Sequence, residues 1–141
     1  QYWHVIKDFS TFKDTFSSDV PMNGGNFSLK LEGIKNIGFE PSAETFVTNI
    51  EGLRVIHLSA FIMTLFGGQA IYLNLEHKRN GQLLKKKSTS DWAFNDWKKF
   101  CIDDTLNLMN DDTLKIRIVQ STGQNSACLV DLVELTTNKL E

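Results

Sequence analysis

The stretch QAIYLNLEHKRNGQ, residues 69–82, carries the two signals that decide the fold of this chain of 141 residues. Apolar Ile71, Leu73 and Leu75 alternate with more polar residues, and a period of two is typical of a β-strand with one buried face. The Asn-Gly pair at 80–81 follows, and both residue types tolerate the positive φ angles of a two-residue hairpin turn. The stretch therefore predicts a half-buried strand that reverses through a tight turn into the lysine-rich segment after it.

The same alternation recurs in other segments that are separated by turn signals. In TLKIRIVQ, residues 113–120, the apolar residues Leu114, Ile116 and Ile118 share one face, and the cationic residues between them share the other. Further segments with strand patterns are residues 2–9, 26–33, 53–63 and 127–135.

Turn signals and spacing then suggest how the strands connect. Gly-Gly-Gln at 67–69 separates the strand at 53–63 from the one at 69–77, and this predicts that the two form a hairpin. Only residues 95–108 have loosely helical spacing. The sequence thus predicts an all-β fold, an antiparallel β-sandwich of seven to eight strands with one short helical segment near residues 95–108.

Length and composition are those of one globular domain, with 41% hydrophobic and 23% charged residues and no internal repeat. A net charge of −2 gives no indication of a nucleic-acid or anionic-membrane partner. The longest apolar stretch, residues 53–68, contains Arg54 and His57 and is too short to cross a bilayer. We expect residues 1–141 to form a single domain of a longer protein, since Gln1 rather than Met opens the chain.

The two cysteines, Cys101 and Cys128, are too few for the disulfide framework of a typical small secreted domain. We therefore expect two buried free thiols in an intracellular protein, either cytoplasmic or nuclear. A bridge between the two cysteines is the alternative.

No group of residues has the spacing that catalysis or metal binding would need. His4, His57 and His77 fall on three different predicted strands, outside any metal-binding motif. The acidic pairs at 103–104 and 111–112 are expected to be solvated turn residues or caps, because adjacent residues point apart. We predict no enzyme activity, no metal and no cofactor.

One basic cluster, HKRNGQLLKKK at residues 77–87, spans the predicted hairpin. Lysines on an edge strand discourage unwanted strand pairing, and this structural interpretation is favoured. The alternative is an electrostatic rim that attracts an acidic or phosphorylated peptide.

Three motifs in order resemble the MATH (meprin and TRAF homology) family. They are WHVIKDFS at residues 3–10, GGNFSLKL at 24–31 and DWAFNDWKKFCIDDTLNLMNDDTLKIRIV at 91–119. The resemblance covers about residues 2–120 and leaves the last strand and a C-terminal link in 121–141. It implies an eight-stranded antiparallel sandwich that binds short extended peptides in a shallow groove across one sheet.

The resemblance also implies which residues line that groove. Asp91, Trp92 and Phe94 match the groove motif, with Ala93 in place of its glycine. Tyr72 falls where adaptors of the family place a groove aromatic, and the alternation independently puts it on the face opposite Ile71. From the residues alone, Trp92 and Phe94 are equally compatible with the core. The expected peptide-binding residues are Asp91, Trp92, Ala93, Phe94, Tyr72 and Asn74.

The resemblance therefore predicts a peptide-recognition module that selects substrates for a cullin-type ubiquitin ligase through a following BTB domain. The alternatives are an oligomerisation or scaffold domain of a receptor-associated signalling protein and the targeting domain of a deubiquitinase. The partners expected in the first case are linear peptide motifs of protein substrates, with the full-length protein oligomeric.

Overall fold

The computed structural model describes residues 4–6, 13–17, 22, 28–32, 42–66, 70–91, 96–120 and 127–140. Within these residues the chain forms β-strands and no helix. The strands are β1 (His4–Ile6), β2 (Lys13–Ser17), β3 (Ser28–Glu32), β4 (Ser42–Val47), β5 (Gly52–Phe66), β6 (Ile71–Arg79), β7 (Gln82–Asp91), β8 (Lys98–Leu108), β9 (Thr113–Gln120) and β10 (Ala127–Lys139).

These strands form two five-stranded sheets in which every paired neighbour is antiparallel. Sheet 1 has the order β1-β4-β9-β6-β7, and sheet 2 has the order β2-β3-β10-β5-β8. The antiparallel β-sandwich predicted from the sequence is confirmed. The described residues form ten strands rather than seven or eight, because short β2 and β4 lie in segments whose sequences show no clean alternation.

Inward side chains of the two sheets make a single apolar core. In β6, Ile71, Leu73 and Leu75 are at most 2% exposed, as the alternation predicts. The inward residues of β9, Leu114, Ile116 and Ile118, are at most 1% exposed. From sheet 2 the core receives Leu31, Ile56, Leu58, Ala60, Ile62, Phe100, Ile102, Leu106, Leu108, Cys128 and Val130.

The tight hairpin predicted at the Asn-Gly pair joins β6 to β7. Asn80 and Gly81 have φ angles of 52° and 77°, as a type I′ turn requires. β7 is then an edge strand of sheet 1, and its residues from Gln82 to Ser88 are all exposed. The basic cluster thus lies on a solvated hairpin edge from Gln82 onward, and its role in discouraging strand pairing stays a prediction.

The short helix expected near residues 95–108 is wrong, because strand β8 occupies this segment. Phe100, Ile102, Leu106 and Leu108 have the period-two burial of a strand, but Asp104 interrupts it at the position between Ile102 and Leu106. Its carboxylate accepts a hydrogen bond from Lys85 Nζ of β7 at 2.8 Å, which joins an edge of sheet 1 to an edge of sheet 2. Among the described residues, no helix is long and apolar enough to span a membrane.

The hairpin expected between β5 and β6 is also wrong. β5 pairs with β10 and β8 in sheet 2, whereas β6 pairs with β7 and β9 in sheet 1. The chain between them therefore crosses from one sheet to the other. A Gly-Gly signal marks a reversal of the chain but carries no information about whether the flanking strands hydrogen-bond to each other.

A buried carboxylate ties the β8–β9 turn to the end of β6. Asp112, with 1% of its side chain exposed, accepts two hydrogen bonds from Arg79, at 2.7 and 2.8 Å. It also accepts a hydrogen bond from His77 Nε2 at 2.6 Å and one from the Met109 amide at 2.9 Å. The expectation of a solvated turn residue is thus wrong for Asp112, because its partners lie on a strand that is distant in sequence.

These contacts set the protonation state of the carboxyl group. Hydrogen bonds from Arg79, then from the Met109 amide and from His77, hold the pKa of Asp112 well below its usual range, although burial by itself would raise it. The carboxylate therefore stays ionised wherever the protein is folded at ordinary pH.

We expect Asp112→Asn to lower the free energy of unfolding by about 1.5–3 kcal/mol, because the buried carboxylate loses its charge-assisted hydrogen bonds from Arg79 and His77. Urea denaturation at pH 7 measures this difference. Asp111→Asn makes the same chemical change at the exposed neighbouring residue and should alter stability by less than about 0.5 kcal/mol. Equal losses in the two variants would contradict the role given to Asp112.

The same carboxylate predicts a pH dependence of stability. Its pKa is depressed in the folded state, so its stabilising contribution is complete above the unfolded pKa of about 3.9 and is lost as the pH falls below that value. Denaturation curves collected from pH 6 down to pH 3 should show a steeper loss in the wild-type protein than in Asp112→Asn.

Both cysteines are free thiols, as expected, but they differ in exposure. Cys128 faces the core from β10 and is fully buried, and burial raises the pKa of its thiol to about 12. Cys101 is exposed on β8, so the expectation that both would be buried is wrong for this residue. β5 lies between the two strands and the thiols are on opposite faces of sheet 2, so they cannot bridge without backbone movement.

The difference in exposure predicts that one thiol per folded chain reacts with Ellman's reagent, and that two react in concentrated urea. Cys101→Ser should remove the reaction of the folded protein and leave one reactive thiol after denaturation. A folded protein in which no thiol reacts would contradict this assignment.

Candidate functional site

The outer face of sheet 1 presents aromatic, amide and charged side chains that the core does not use. In β6, Tyr72 and Asn74 point away from the core because Ile71, Leu73 and Leu75 point into it. The outward residues beside them are Glu44 and Phe46 of β4, Lys115 and Arg117 of β9, and Ser88 of β7. We call these residues, together with Tyr72 and Asn74, the sheet-1 face.

The strand register places Arg117 at the centre of this face. It lies opposite Asn74 of β6 on one side and Glu44 of β4 on the other. Tyr72 lies two residues from Asn74, and Phe46 lies two residues from Glu44 in the opposite direction along the strands. At about 3.3 Å per residue and about 4.8 Å per strand, the Cα atoms of the two aromatic residues are roughly 16 Å apart, with Arg117 midway.

The two aromatic side chains on this face are accessible. Tyr72 is 39% exposed and Phe46 is 45% exposed. Lys115 Nζ lies 5.7 Å from the centre of the Phe46 ring and 2.8 Å from Glu44 Oε2. Lys115 thus lies over part of the Phe46 ring and beside Glu44.

Arg117 differs from the other charged groups of the face because its charge is not compensated. Its Nε atom is buried without a hydrogen-bond partner, and the ion pairs of the described residues do not include it. Glu44, which lies opposite Arg117, is bound to Lys115 instead. A partly buried cation without a counter-ion is unfavourable for the folded protein.

Asn74 is fixed in place beside Arg117. It is 4% exposed, and its Oδ1 atom accepts a hydrogen bond from the Ser88 hydroxyl of β7 at 2.6 Å. This bond engages the oxygen of Asn74. The amide nitrogen, which is a hydrogen-bond donor, is then the group of Asn74 that remains for a ligand.

The structure brings together only part of the expected site. Tyr72 is exposed on the face opposite Ile71, as the alternation predicted. Asn74 lies on the same face, although it is nearly buried. Asp91 pairs across the strands with buried Ile71 rather than with Tyr72, and it forms an ion pair with Lys98 of β8. Trp92, Ala93 and Phe94 lie outside the described residues.

Other residues of the sheet-1 face were not expected from the sequence. Alternation in 113–120 already placed Arg117 on the outer face, but nothing in the sequence marked it as unpaired. Phe46 and Glu44 lie on β4, which pairs with β9 from a distant part of the chain. Only this pairing shows that they are neighbours of Arg117.

A concave pocket lies on the outer face of sheet 2. It holds about 260 Å³ and is lined by Met22, Ser59, Phe61, Lys99, Leu132 and Glu134. Leu132 adopts a positive φ of 48° where the β5–β10 register shifts. This pocket lies on the opposite side of the molecule from Tyr72. In the part of the chain that the structure describes, no three His, Cys, Asp or Glu side chains are grouped to hold a metal ion.

No family model and no curated protein matches this sequence. Solved structures do match, through their fold. The enzymatically active domain of bacteriophage CBA120 tailspike protein 4 superposes with a TM-score of 0.77 at 12% identity, over 96% of this chain and 19% of that one. The chain thus spans about a fifth of that tailspike domain.

Two carbohydrate-binding modules match over nearly their whole length. The xylan-binding CBM22-1 domain of Paenibacillus barcinonensis Xyn10C has a TM-score of 0.66 at 14% identity, over 99% of this chain and 87% of that one. TmCBM61, solved with β-1,4-galactotriose, has a TM-score of 0.62 at 15% identity, over 96% and 88%. At such low identities, these matches show a shared β-sandwich fold.

These neighbours correct the functional expectation. They are carbohydrate-binding modules and a tailspike domain, so a peptide-recognition module of a ubiquitin-ligase adaptor is the wrong conclusion. The expected linear-peptide partners and the link to a cullin-type ligase are wrong with it. Alternating strands and Asn-Gly turns occur in any antiparallel sandwich and do not specify its ligand. The resemblance of the three motifs to MATH domains stays a prediction.

The contrast between the two cations of β9 leads to a prediction about stability. Arg117→Met should leave the free energy of unfolding unchanged or raise it by up to about 1 kcal/mol, because it removes an uncompensated charge. Lys115→Met should lower it by about 1–2 kcal/mol, because Glu44 loses its ionic partner. Urea denaturation of the two variants tests this. A loss at Arg117 as large as that at Lys115 would show that Arg117 has a stabilising partner.

Proposed function

We propose that this chain is a carbohydrate-binding domain without catalytic activity, and that an oligosaccharide lies across its sheet-1 face. The observation that carries the proposal is the exposed ring of Tyr72 beside the amide of Asn74 and the guanidinium of Arg117. These three groups come from two adjacent central strands, so a rigid sheet fixes their spacing.

The chemistry of a sugar explains why this combination suits it. A pyranose ring has flat patches of C–H groups and a rim of hydroxyl groups. An aromatic side chain packs against the C–H patch and loses little conformational freedom. Amide and guanidinium groups donate hydrogen bonds to hydroxyl oxygens at the rim. Sites for small ligands commonly combine apolar area with a few well-placed polar groups.

The fold gives independent support. Several of the neighbours are named as carbohydrate-binding modules, and they match at least 92% of this chain with TM-scores of 0.59–0.66. Double-sheet sandwiches are also a common architecture of lectin domains. Most of these neighbours are binding modules and one is a tailspike enzyme domain, so we assign this chain a binding role rather than the activity of that enzyme.

The proposal predicts that Tyr72→Ala weakens oligosaccharide binding about tenfold, because the ring supplies the stacking surface. Titration calorimetry with β-1,4-galactotriose, xylan fragments and a β-1,3-1,4-linked glucan tetrasaccharide measures the change. Leu53→Ala is the matched control. Leu53 is 42% exposed on β5 of sheet 2, so it loses a similar apolar area on the other side of the molecule.

Two results would contradict the proposal. One is a wild-type protein that binds none of a broad panel of immobilised polysaccharides. The other is equal binding by Tyr72→Ala and Leu53→Ala, which would move the site away from the sheet-1 face. Incubation of each bound polysaccharide with the protein should release no reducing ends, and their release would show catalytic activity.

A further inference from the structure

Among the described residues, the outer surface of sheet 1 has an excess of positive charge, although the whole chain has a net charge of −2. Glu76 and Lys78 continue the outward row of β6, and Lys86 lies opposite Glu76 on β7. With the sheet-1 face, this gives four cationic groups, Lys78, Lys86, Lys115 and Arg117, and two carboxylates, Glu44 and Glu76. A ligand with negative charge is therefore favoured over a neutral one.

Arg117 lies at the centre of the sheet-1 face and is the cation best placed to bind a negatively charged ligand. The carboxylate closest to it in register, Glu44, is engaged with Lys115 at 2.8 Å. The other carboxylate, Glu76, lies opposite Lys115 and is diagonal to Arg117 without forming an ion pair with it. Local side chains thus leave the guanidinium without an anion. An anionic ligand would supply the missing counter-charge and remove the cost of the unpaired cation.

We propose that the sheet-1 face is selective for acidic glycans and that Arg117 binds a sugar carboxylate. This inference rests on the proposed carbohydrate-binding function and names the class of its ligand. Guanidinium and carboxylate groups are both planar, and they can form two parallel hydrogen bonds. A lysine at the same position would offer a point charge without this geometry.

The position of Arg117 relative to Tyr72 fits a sugar that carries a carboxylate on its ring. Diagonal neighbours on adjacent strands have their Cα atoms about 7–8 Å apart. The carboxylate of a uronic or sialic acid projects from the edge of the ring. A ring stacked on Tyr72 can therefore extend its carboxylate along the sheet to Arg117, while the Asn74 amide donates to a hydroxyl beside it.

The test compares acidic polysaccharides with their neutral counterparts. The probes are polygalacturonate and polysialic acid, each paired with the same polymer after carboxyl reduction. Binding of the folded protein to all four immobilised polymers is measured at low and at physiological ionic strength. The two acidic polymers separate uronic-acid from sialic-acid recognition.

Three variants test whether Arg117 is the residue responsible for a preference for acidic over reduced polymers. Arg117→Met removes the charge and keeps an extended side chain, whereas Arg117→Lys keeps the charge and loses the planar fork. Lys99→Met removes one positive charge from the exposed surface of sheet 2 and is the matched control. Far-UV circular dichroism and thermal melting confirm that each variant is folded.

We expect the wild-type protein to bind at least one acidic polymer about 10- to 100-fold more tightly than its reduced form. Arg117→Met should lose most of this preference and keep only the small part that the surrounding lysines supply, and Arg117→Lys should fall between it and the wild type. Lys99→Met should keep the full preference. The preference should also shrink as salt is added, because screening weakens attraction between exposed charges.

The outcomes separate this inference from the proposed function. If Tyr72 is required for binding but acidic and reduced polymers bind equally, the domain binds carbohydrate and the inference about Arg117 is wrong. A preference that is undiminished in Arg117→Met would also overturn it. If no polysaccharide binds in any form, the proposed function itself fails.

Discussion

The constraint on which this structure depends is the alternation of side chains along the central strands of sheet 1. In β6 and β9 every second residue is committed to the core, so the residue between has to point outward. A shift of one residue in register would expose Leu73 and Ile116 and bury Tyr72 and Arg117. Burial of the apolar residues therefore also fixes which side chains form the sheet-1 face. No further interaction is needed to point Tyr72 and Arg117 outward.

Charged groups stabilise the edges and turns around this core. Asp112 gathers Arg79, His77 and the Met109 amide at the β8–β9 turn, and Lys85 reaches Asp104 across the two sheets. In both cases a cation from the β6–β7 hairpin meets a carboxylate from a segment that follows it in sequence. Arg117 has no such partner, because the neighbouring carboxylate, Glu44, is engaged with Lys115.

Motifs and physical pattern led to different conclusions about function. The three motifs resembling MATH domains implied a peptide groove around residues 91–94, whereas the shared fold of the neighbours is found in carbohydrate-binding modules. Tyr72 belongs to both hypotheses because its exposure follows from alternation alone. The ligand does not follow from alternation, because it depends on which polar groups surround that ring. Those groups come from β4, β7 and β9 as well as β6.

The sequence by itself determined the all-β class, the hairpin at Asn80 and Gly81, and the inward and outward faces of β6 and β9. These features are local, since they depend on residues that are two to four positions apart. The tertiary structure alone decided that β5 and β6 belong to different sheets, that 98–108 is a strand, and that Asp112 is buried. It also decided that Phe46, Arg117 and Tyr72 share one surface. Strand pairing joins segments up to about 100 residues apart in this chain, as in the pairing of Leu29 with Val130, and period-two patterns carry no information about the partner.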